Sequence, residues 1–191
     1  VVVHAMILLF TKERCSEYQI KVNVSDSLLG ENLQVPNKYF CEQDYHMISI
    51  RSYGDKDFME KMSEGSVALS EVLDVRQAIK SGNDKLYITS IKENDTYKPI
   101  LRGKDIERYL IKDPHLYLNY GSHLACPRKP EIFEQPKLLI REAGARITAT
   151  YDEDNYYIMS SLYNAILIDD SYDLKYLLGL LNSKLMQYIM N

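Results

Sequence analysis

The sequence predicts an α+β fold: a twisted, mostly antiparallel sheet with peripheral helices, preceded by a remnant of an α/β sheet. Short stretches of alternating character, bounded by turn residues, dominate the centre of the 191-residue chain and are typical of such a sheet. Helical patterns lie at its edges, over residues 56–63 and 174–190. A β-branched apolar run over residues 1–10 is typical of a strand buried on both faces, as in an α/β sheet.

The strands are predicted in order along the chain. The patterns favour strands at residues 20–24, 45–51, 85–90, 138–141, 147–151, 156–160 and 161–168. Residues 152–155 form a polar turn, which predicts a hairpin between the strands on either side of it. The carboxylates of Asp152, Glu153 and Asp154 suggest either a metal cluster or a solvated turn. Because consecutive side chains in a tight turn point in different directions, we interpret them as a solvated turn.

The chain is long enough for one large domain, or for one domain with part of a neighbour. A polar, glycine-containing stretch at residues 53–57 predicts a boundary, which divides the chain into residues 1–54 and 55–191. The chain opens at full hydrophobicity, and the helical pattern over residues 174–190 meets no breaker. We therefore expect these residues to be part of a longer protein.

Charge is distributed unevenly. The net charge of −4 excludes a histone-like protein, but residues 98–146 carry 10 basic and 6 acidic side chains. This excess is typical either of a solvated face or of an anion-binding surface. Three widely spaced cysteines argue against a disulfide scaffold and favour a reducing, cytoplasmic location. The apolar run at residues 1–10 is too short to span a bilayer, so no membrane partner is expected.

Motifs for catalysis are missing from the sequence. No strand is followed by a glycine-rich phosphate loop, and no Gly-x-Ser-x-Gly elbow occurs. The four histidines are scattered without the spacing of a zinc site. We therefore expect this chain to perform no chemistry of its own and to contain no metal.

Three motifs carry a resemblance to a known family. Residues 73–88 resemble the start of the recognition domain in bacterial restriction-modification proteins. Residues 98–109, KPILRGKDIERY, resemble the Pro-x-Leu-(Arg/Lys)-Gly-x-Asp-Ile-x-Arg-Tyr signature of the TaqI-like C-terminal specificity domain. The segments KLLIRE and LLNSKL follow in the order of that family. Residues 67–190 are thus similar to the target recognition domain of type II/IIG restriction-modification adenine-N6 DNA methyltransferases.

This resemblance implies the same α+β fold, with residues 55–191 as the target recognition domain. Residues 1–54 resemble the C-terminal remnant of a methyltransferase-like domain and its connector. The motifs that bind S-adenosylmethionine and the Asn-Pro-Pro-Tyr loop are not in this chain. The resemblance therefore implies no cofactor here and S-adenosylmethionine in an upstream domain of a site-specific DNA methyltransferase, with or without an endonuclease.

Nine basic side chains are the candidate DNA contacts, and we expect the positive groups of residues 98–146 to converge on one concave surface. They are Lys80, Lys85, Arg102, Lys104, Arg108, Arg128, Lys129, Arg141 and Arg146. Lysine and arginine fix the register on the phosphates, and arginine also fits guanine edges. Gly103 is expected to let the backbone approach a ligand closely.

Each candidate group also has a structural interpretation. The bases around Gly103 either contact DNA or form a clasp with Asp105 and Glu107. Arg128 and Lys129 lie in a loop and serve either DNA contact or solubility. Arg141 either faces DNA or is buried against Glu142 or an aspartate. Six of the 16 tyrosines alternate with apolar residues and are expected in the core, with one or two left to stack on bases: Tyr117, Tyr120, Tyr151, Tyr156, Tyr157 and Tyr163.

Two functions from different classes follow. The first is a DNA sequence recognition module that positions the catalytic domain of a bacterial restriction-modification enzyme, with double-stranded DNA and the protein's own methyltransferase domain as partners. The second is a protein–protein interaction module that holds a partner subunit of a restriction or phage-defence system. Fold alone does not separate the two, because function resides in the site.

Overall fold

The computed structural model describes residues 18–23, 32–41 and 56–190 of the chain, which divides into two compact units, Val1–Ser66 and Val67–Asn191. The predicted strands at residues 1–10 and 45–51 lie outside the described residues. In the first unit, β1 (Gln19–Asn23) pairs antiparallel with β2 (Asn32–Pro36), which continues into α1 (Asn37–Cys41). A further helix, α2 (Lys56–Ser63), confirms the helix predicted at residues 56–63.

The second unit contains a four-stranded antiparallel sheet, sheet I. Its strand order is β10-β9-β12-β3, and a short helix α3 (Leu69–Val72) leads directly into β3. The strands are β3 (Leu73–Gln77), β9 (Lys137–Arg141), β10 (Ala149–Asp152) and β12 (Leu162–Leu167). The predicted strands at residues 138–141 and 161–168 are confirmed.

A second sheet, sheet II, has the strand order β11-β5-β8-β4. β11 pairs parallel with β5, and the other pairs are antiparallel. The strands are β4 (Ile88–Thr89), β5 (Tyr97–Leu101), β8 (Tyr117–Asn119) and β11 (Tyr157–Ile158), and the short helix α4 (Asp84–Tyr87) precedes β4. A small hairpin joins β6 (Ile106–Glu107) to β7 (Leu110–Ile111).

Both faces of sheet I are buried. Successive side chains along each strand point to opposite faces, so the sheet contributes to two separate cores. On one face, Leu138 and Ala165 pack with Leu177, Leu178 and Leu181 of helix α5 (Leu174–Leu181). On the other face, Leu139 and Leu162 join the core residues of sheet II, among them Ile100, Leu118, Phe133 and Ile158. The fold is therefore α+β, as predicted, with a helix on one side of sheet I and sheet II on the other.

The prediction of core tyrosines holds fully for Tyr157, whereas Tyr120, Tyr151 and Tyr156 pack half-buried against the core and Tyr117 and Tyr163 belong to neither buried cluster. The buried ring of Tyr157 contacts the rings of Tyr120 and Phe133, at centroid distances of 5.0 Å and 4.7 Å. Its hydroxyl donates a 2.6 Å hydrogen bond to Glu134 Oε1. Burial, and next the hydrogen bond to the Glu134 carboxylate, raise the pKa of Tyr157. The same carboxylate lies 3.6 Å from Lys98 Nζ, so Lys98 belongs to this cluster.

The predicted hairpin around residues 152–155 is wrong. β10 belongs to sheet I, whereas β11 pairs in parallel with β5 in sheet II. Asp152 redirects the chain, because its carboxylate accepts hydrogen bonds from the amides of Asp154 and Tyr156, at 2.9 Å and 3.1 Å. Asp152 is also not solvated: it is buried and forms an ion pair with Lys137.

Two further elements differ from the sequence prediction. The strand expected at residues 85–90 begins as helix α4, because the amides of Leu86 and Tyr87 bond to the carbonyl of Asn83. The single helix expected over residues 174–190 is broken into α5 and α6 (Lys184–Met190). The break lies at Asn182, whose side chain bonds to the backbone of β10 rather than facing solvent.

Candidate nucleic-acid interface

The second unit has a concave site of about 580 Å³, here called the basic groove. Three chain segments line it, and backbone hydrogen bonds fix the first of them. The amide of Ile79 bonds to the carbonyl of Ile158 at 3.0 Å, and Lys80 exchanges backbone hydrogen bonds with Cys126 at 2.9 Å and 3.1 Å. The groove is lined by Lys80, Ser81, Gly82, Asp84, Arg102, Met159, Ser160 and Ser161.

Arg102 is the central cation of the groove. Its Nη2 atom lies 3.3 Å from Asp84 Oδ2, and its side chain keeps 30% of its surface exposed. The second oxygen of Asp84 accepts a hydrogen bond from the Ser81 hydroxyl. An ion pair this open to solvent contributes little to stability, so Arg102 can exchange Asp84 for a phosphate oxygen at small cost. Lys80, the other cation of the groove, is exposed and has no carboxylate partner among the described residues.

Gly103 permits a close approach within the chain rather than to a ligand, which corrects the sequence-based expectation. Its amide donates a 2.8 Å hydrogen bond to Ser161 Oγ. A Cβ atom at this position would meet the Ser161 carbonyl oxygen at 3.1 Å. The absence of a side chain thus lets the segment after β5 lie against Ser161 at the floor of the groove.

Besides Arg102, three of the nine predicted arginines and lysines donate hydrogen bonds to the protein itself. Arg108 Nε bonds to the Ile147 carbonyl at 3.0 Å, and Arg128 bonds to the Ala78 carbonyl and to Gln77 Oε1 at 3.3 Å and 3.1 Å. Arg141 bonds to the carbonyls of Gly103, at 2.9 Å, and Ile106. Arg141 is therefore not buried against a carboxylate. Its hydrogen bonds instead fix the backbone of residues 103–106.

The alternative in which the bases around Gly103 form a clasp with Asp105 and Glu107 is wrong. Glu107 pairs with Lys112 at 2.8 Å, and Asp105 accepts a hydrogen bond from the backbone amide of Arg102 at 2.8 Å. Lys112, chiefly through this hydrogen bond, lowers the pKa of Glu107. Lys104 and Arg108 consequently make no ion pair with either carboxylate.

The remaining predicted cations are exposed, and no carboxylate pairs with them within the described residues: Lys85, Lys104, Lys129 and Arg146. Lys85 follows Asp84 on α4, and Lys104 follows Gly103, but neither lysine lines the groove. Arg146 lies beside Ile147, where Arg108 is anchored, and neither of these arginines lines the groove.

Of the nine predicted cations, Lys80 and Arg102 therefore line the groove, and the other seven do not. Sequence analysis missed the hydroxyl and acidic side chains of the groove: Ser81, Asp84, Ser160 and Ser161. Residues 80–84, Lys-Ser-Gly-Asn-Asp, form a run of turn residues in the sequence, and this run was the available signal for Ser81 and Asp84. Nothing in the sequence links residues 160–161 to it, because a parallel bridge between Ile79 and Met159 makes that contact.

Within residues 18–23, 32–41 and 56–190, no group of three or more His, Cys, Asp or Glu side chains is placed to hold a metal ion. In the same residues, no helix has the length and apolar character needed to span a membrane.

Lysine, arginine and serine donors around an open groove form a site for an anionic polymer such as the phosphate backbone of a nucleic acid. Residues 98–191 match the family of the TaqI-like C-terminal specificity domain, and this match confirms the predicted resemblance over that segment. This match supports a DNA target-recognition role for the segment. The motif at residues 73–88 lies before the matched residues. No curated protein matches the chain.

Proposed function

We propose that this chain is the target recognition module of a site-specific adenine-N6 DNA methyltransferase or of a bifunctional restriction-modification enzyme. The module binds double-stranded DNA, positions the catalytic domain on its target site and performs no chemistry itself. The family match supports DNA recognition, and the observation that carries a DNA contact at this place is the basic groove with its exposed Arg102–Asp84 pair.

In this proposal the groove and the lysines that adjoin it along the chain hold the phosphate backbone. Lys80, Lys85 and Lys104 supply charge, and Arg102 leaves Asp84 to donate to phosphate oxygens. Such contacts fix the position of the protein on the duplex but carry no sequence information. Exposed Arg146 has the geometry to donate two hydrogen bonds to a guanine edge in the major groove, so it is our candidate for base recognition. S-adenosylmethionine would bind in an upstream methyltransferase domain, which supplies the methyl group.

The test is the salt dependence of DNA binding by the full-length protein. A duplex is first selected from a random-sequence pool, and its affinity is measured by fluorescence anisotropy at several salt concentrations. Each lost phosphate contact should reduce the slope of log K against log salt by about 1. We therefore expect Arg102→Ala and Lys80→Ala each to weaken binding about tenfold at low salt and to reduce this slope by about 1.

Lys92→Ala is the matched control, because Lys92 is an exposed lysine that does not line the groove and pairs with Asp95. It should leave both the affinity and the slope unchanged. Equal, weak binding to all duplexes, with no change in Arg102→Ala, would contradict the proposal and favour a module that holds a partner protein.

A further inference from the structure

The hairpin of β6 and β7 has an unusual residue at its turn. Glu107 pairs with Leu110, so Arg108 and Tyr109 form a two-residue connection. Tyr109 has φ +66°, in the left-handed region that bulky side chains rarely adopt. Glycine or asparagine would occupy this position without strain. The sequence thus places a large ring where the backbone favours a small residue.

The turn is held in this conformation from several sides. The Tyr109 amide donates a 3.1 Å hydrogen bond to the carbonyl of Ala149. The Arg108 guanidinium bonds to the Ile147 carbonyl at 3.0 Å and to Gln187 Oε1 at 3.4 Å. The amide of Lys112 bonds to the Asp105 carbonyl at 2.8 Å. Strained residues persist where surrounding contacts fix them, and they cluster at ligand-binding positions.

The side chains at this turn are not part of the core. Tyr109 is 60% exposed and the neighbouring Leu110 is 52% exposed, and neither belongs to a buried cluster. The contacts that fix the turn are made by its backbone and by Arg108, so the ring of Tyr109 has no structural task in them. A fixed turn thus presents two large apolar side chains to the surroundings.

The charges on the neighbouring segments identify the ligand that these side chains face. Lys104 precedes the hairpin, and Arg146 adjoins the carbonyl that anchors Arg108; both are exposed without a carboxylate partner among the described residues. An apolar tip flanked by free cations is complementary to a nucleic acid, which has apolar base faces between charged phosphates. Proteins that deform a duplex insert such apolar wedges between base steps.

We propose that Tyr109, with Leu110 beside it, inserts into the base stack of the bound duplex at the target site. This inference rests on the proposed DNA-binding function and names the contact that the hairpin makes within it. An enzyme that modifies a base inside a duplex must extrude it, and extrusion leaves a gap in the stack. A ring carried by a fixed turn fills or opens such a gap without a further loss of backbone conformational freedom.

The test compares Tyr109→Gly, Tyr109→Phe and a control, Tyr176→Ala, which removes a 58% exposed tyrosine from helix α5. In the full-length protein, Tyr109→Gly should weaken binding to the selected duplex about 5- to 150-fold, the range of one lost stacking contact. The salt slope should stay unchanged, because no phosphate contact is lost. Tyr109→Phe should bind like the original protein, and Tyr176→Ala should too.

Thermal unfolding separates this role from a structural one. Glycine suits the left-handed backbone, so Tyr109→Gly should unfold at the same temperature as the original protein or a higher one. A lower unfolding temperature would show that the ring packs within the protein, and full DNA affinity in Tyr109→Gly would show that it makes no base contact; either result overturns the inference. If Arg102→Ala still reduces the salt slope, the proposed DNA-binding function stands even when the inference about Tyr109 is overturned.

Discussion

Replacing Lys137 with methionine is expected to lower the free energy of unfolding by about 3–5 kcal/mol, the usual cost of removing one partner from a buried ion pair. Lys137 and Asp152 have no exposed side-chain surface, and Lys137 Nζ lies 2.5 Å from Asp152 Oδ2. The same ammonium donates to the carbonyl of Phe133 at 2.5 Å. Methionine keeps an unbranched chain of similar volume but leaves the Asp152 carboxylate buried without its cation. Urea unfolding followed by circular dichroism measures the loss.

The pH dependence of this loss is a second readout of the same variant. Burial raises the pKa of Asp152, and Lys137 opposes that rise. Without Lys137 the folded-state pKa rises further, so the folded variant binds a proton that the unfolded chain releases. Stability then falls as the pH rises above the unfolded pKa of aspartate, about 3.9. The difference from the original protein should therefore narrow as the pH is lowered from about 7 towards about 4.

The exposed pair of Lys112 and Glu107 provides the control. Its atoms are 2.8 Å apart, but its side chains are about half exposed, at 48% and 56%. Lys112→Met should therefore change the stability much less than Lys137→Met. An equal loss in both variants, or no loss in Lys137→Met, would show that burial of the pair does not stabilise the fold.

Lys137 also shows why the charge pattern predicted the site only in part. It is one of the ten basic residues of the segment 98–146, yet it is buried in sheet I and cannot contact DNA. Its neighbour Arg141 donates to the carbonyls of Gly103 and Ile106. The number of charged side chains in a segment can be read from the sequence. Which of those side chains face solvent depends on the pairing of β9 with β10 and β12.

The local patterns predicted the fold class because they depend on neighbouring residues. Residues 56–63 and 138–141 have the structures that their spacing predicts. The prediction of a hairpin at residues 152–155 is wrong, because the carboxylate of Asp152 has a buried partner 15 residues earlier in the chain. Only part of the groove could be predicted from the sequence for the same reason, because the parallel bridge between Ile79 and Met159 joins segments 80 residues apart.

The break between α5 and α6 is the clearest effect of a single side chain on the fold. Asn182 is buried, and its amide group bonds to both backbone groups of Ala149 in β10. The Ala149 amide donates to Oδ1 at 3.0 Å, and Nδ2 donates to the Ala149 carbonyl at 2.9 Å. Asn182 thus ties the end of helix α5 to β10, the edge strand of sheet I. This explains why a helical pattern of apolar residues continues past it while the helix does not.

Asn182→Ala is accordingly expected to lower the free energy of unfolding by about 1–3 kcal/mol, because it leaves the buried amide of Ala149 without a partner, whereas the Ala149 carbonyl keeps its hydrogen bond from the Tyr109 amide. Asn182→Asp should be no better, since its second oxygen faces the Ala149 carbonyl where the amide donated. Ser183→Ala, next in the chain, is the control: its hydroxyl accepts from the Met186 amide at 3.0 Å, so it removes one helix cap and costs about 1 kcal/mol. Urea unfolding of the three variants measures these differences. If Asn182→Ala cost no more than Ser183→Ala, helix α5 would be held to sheet I by its leucines alone.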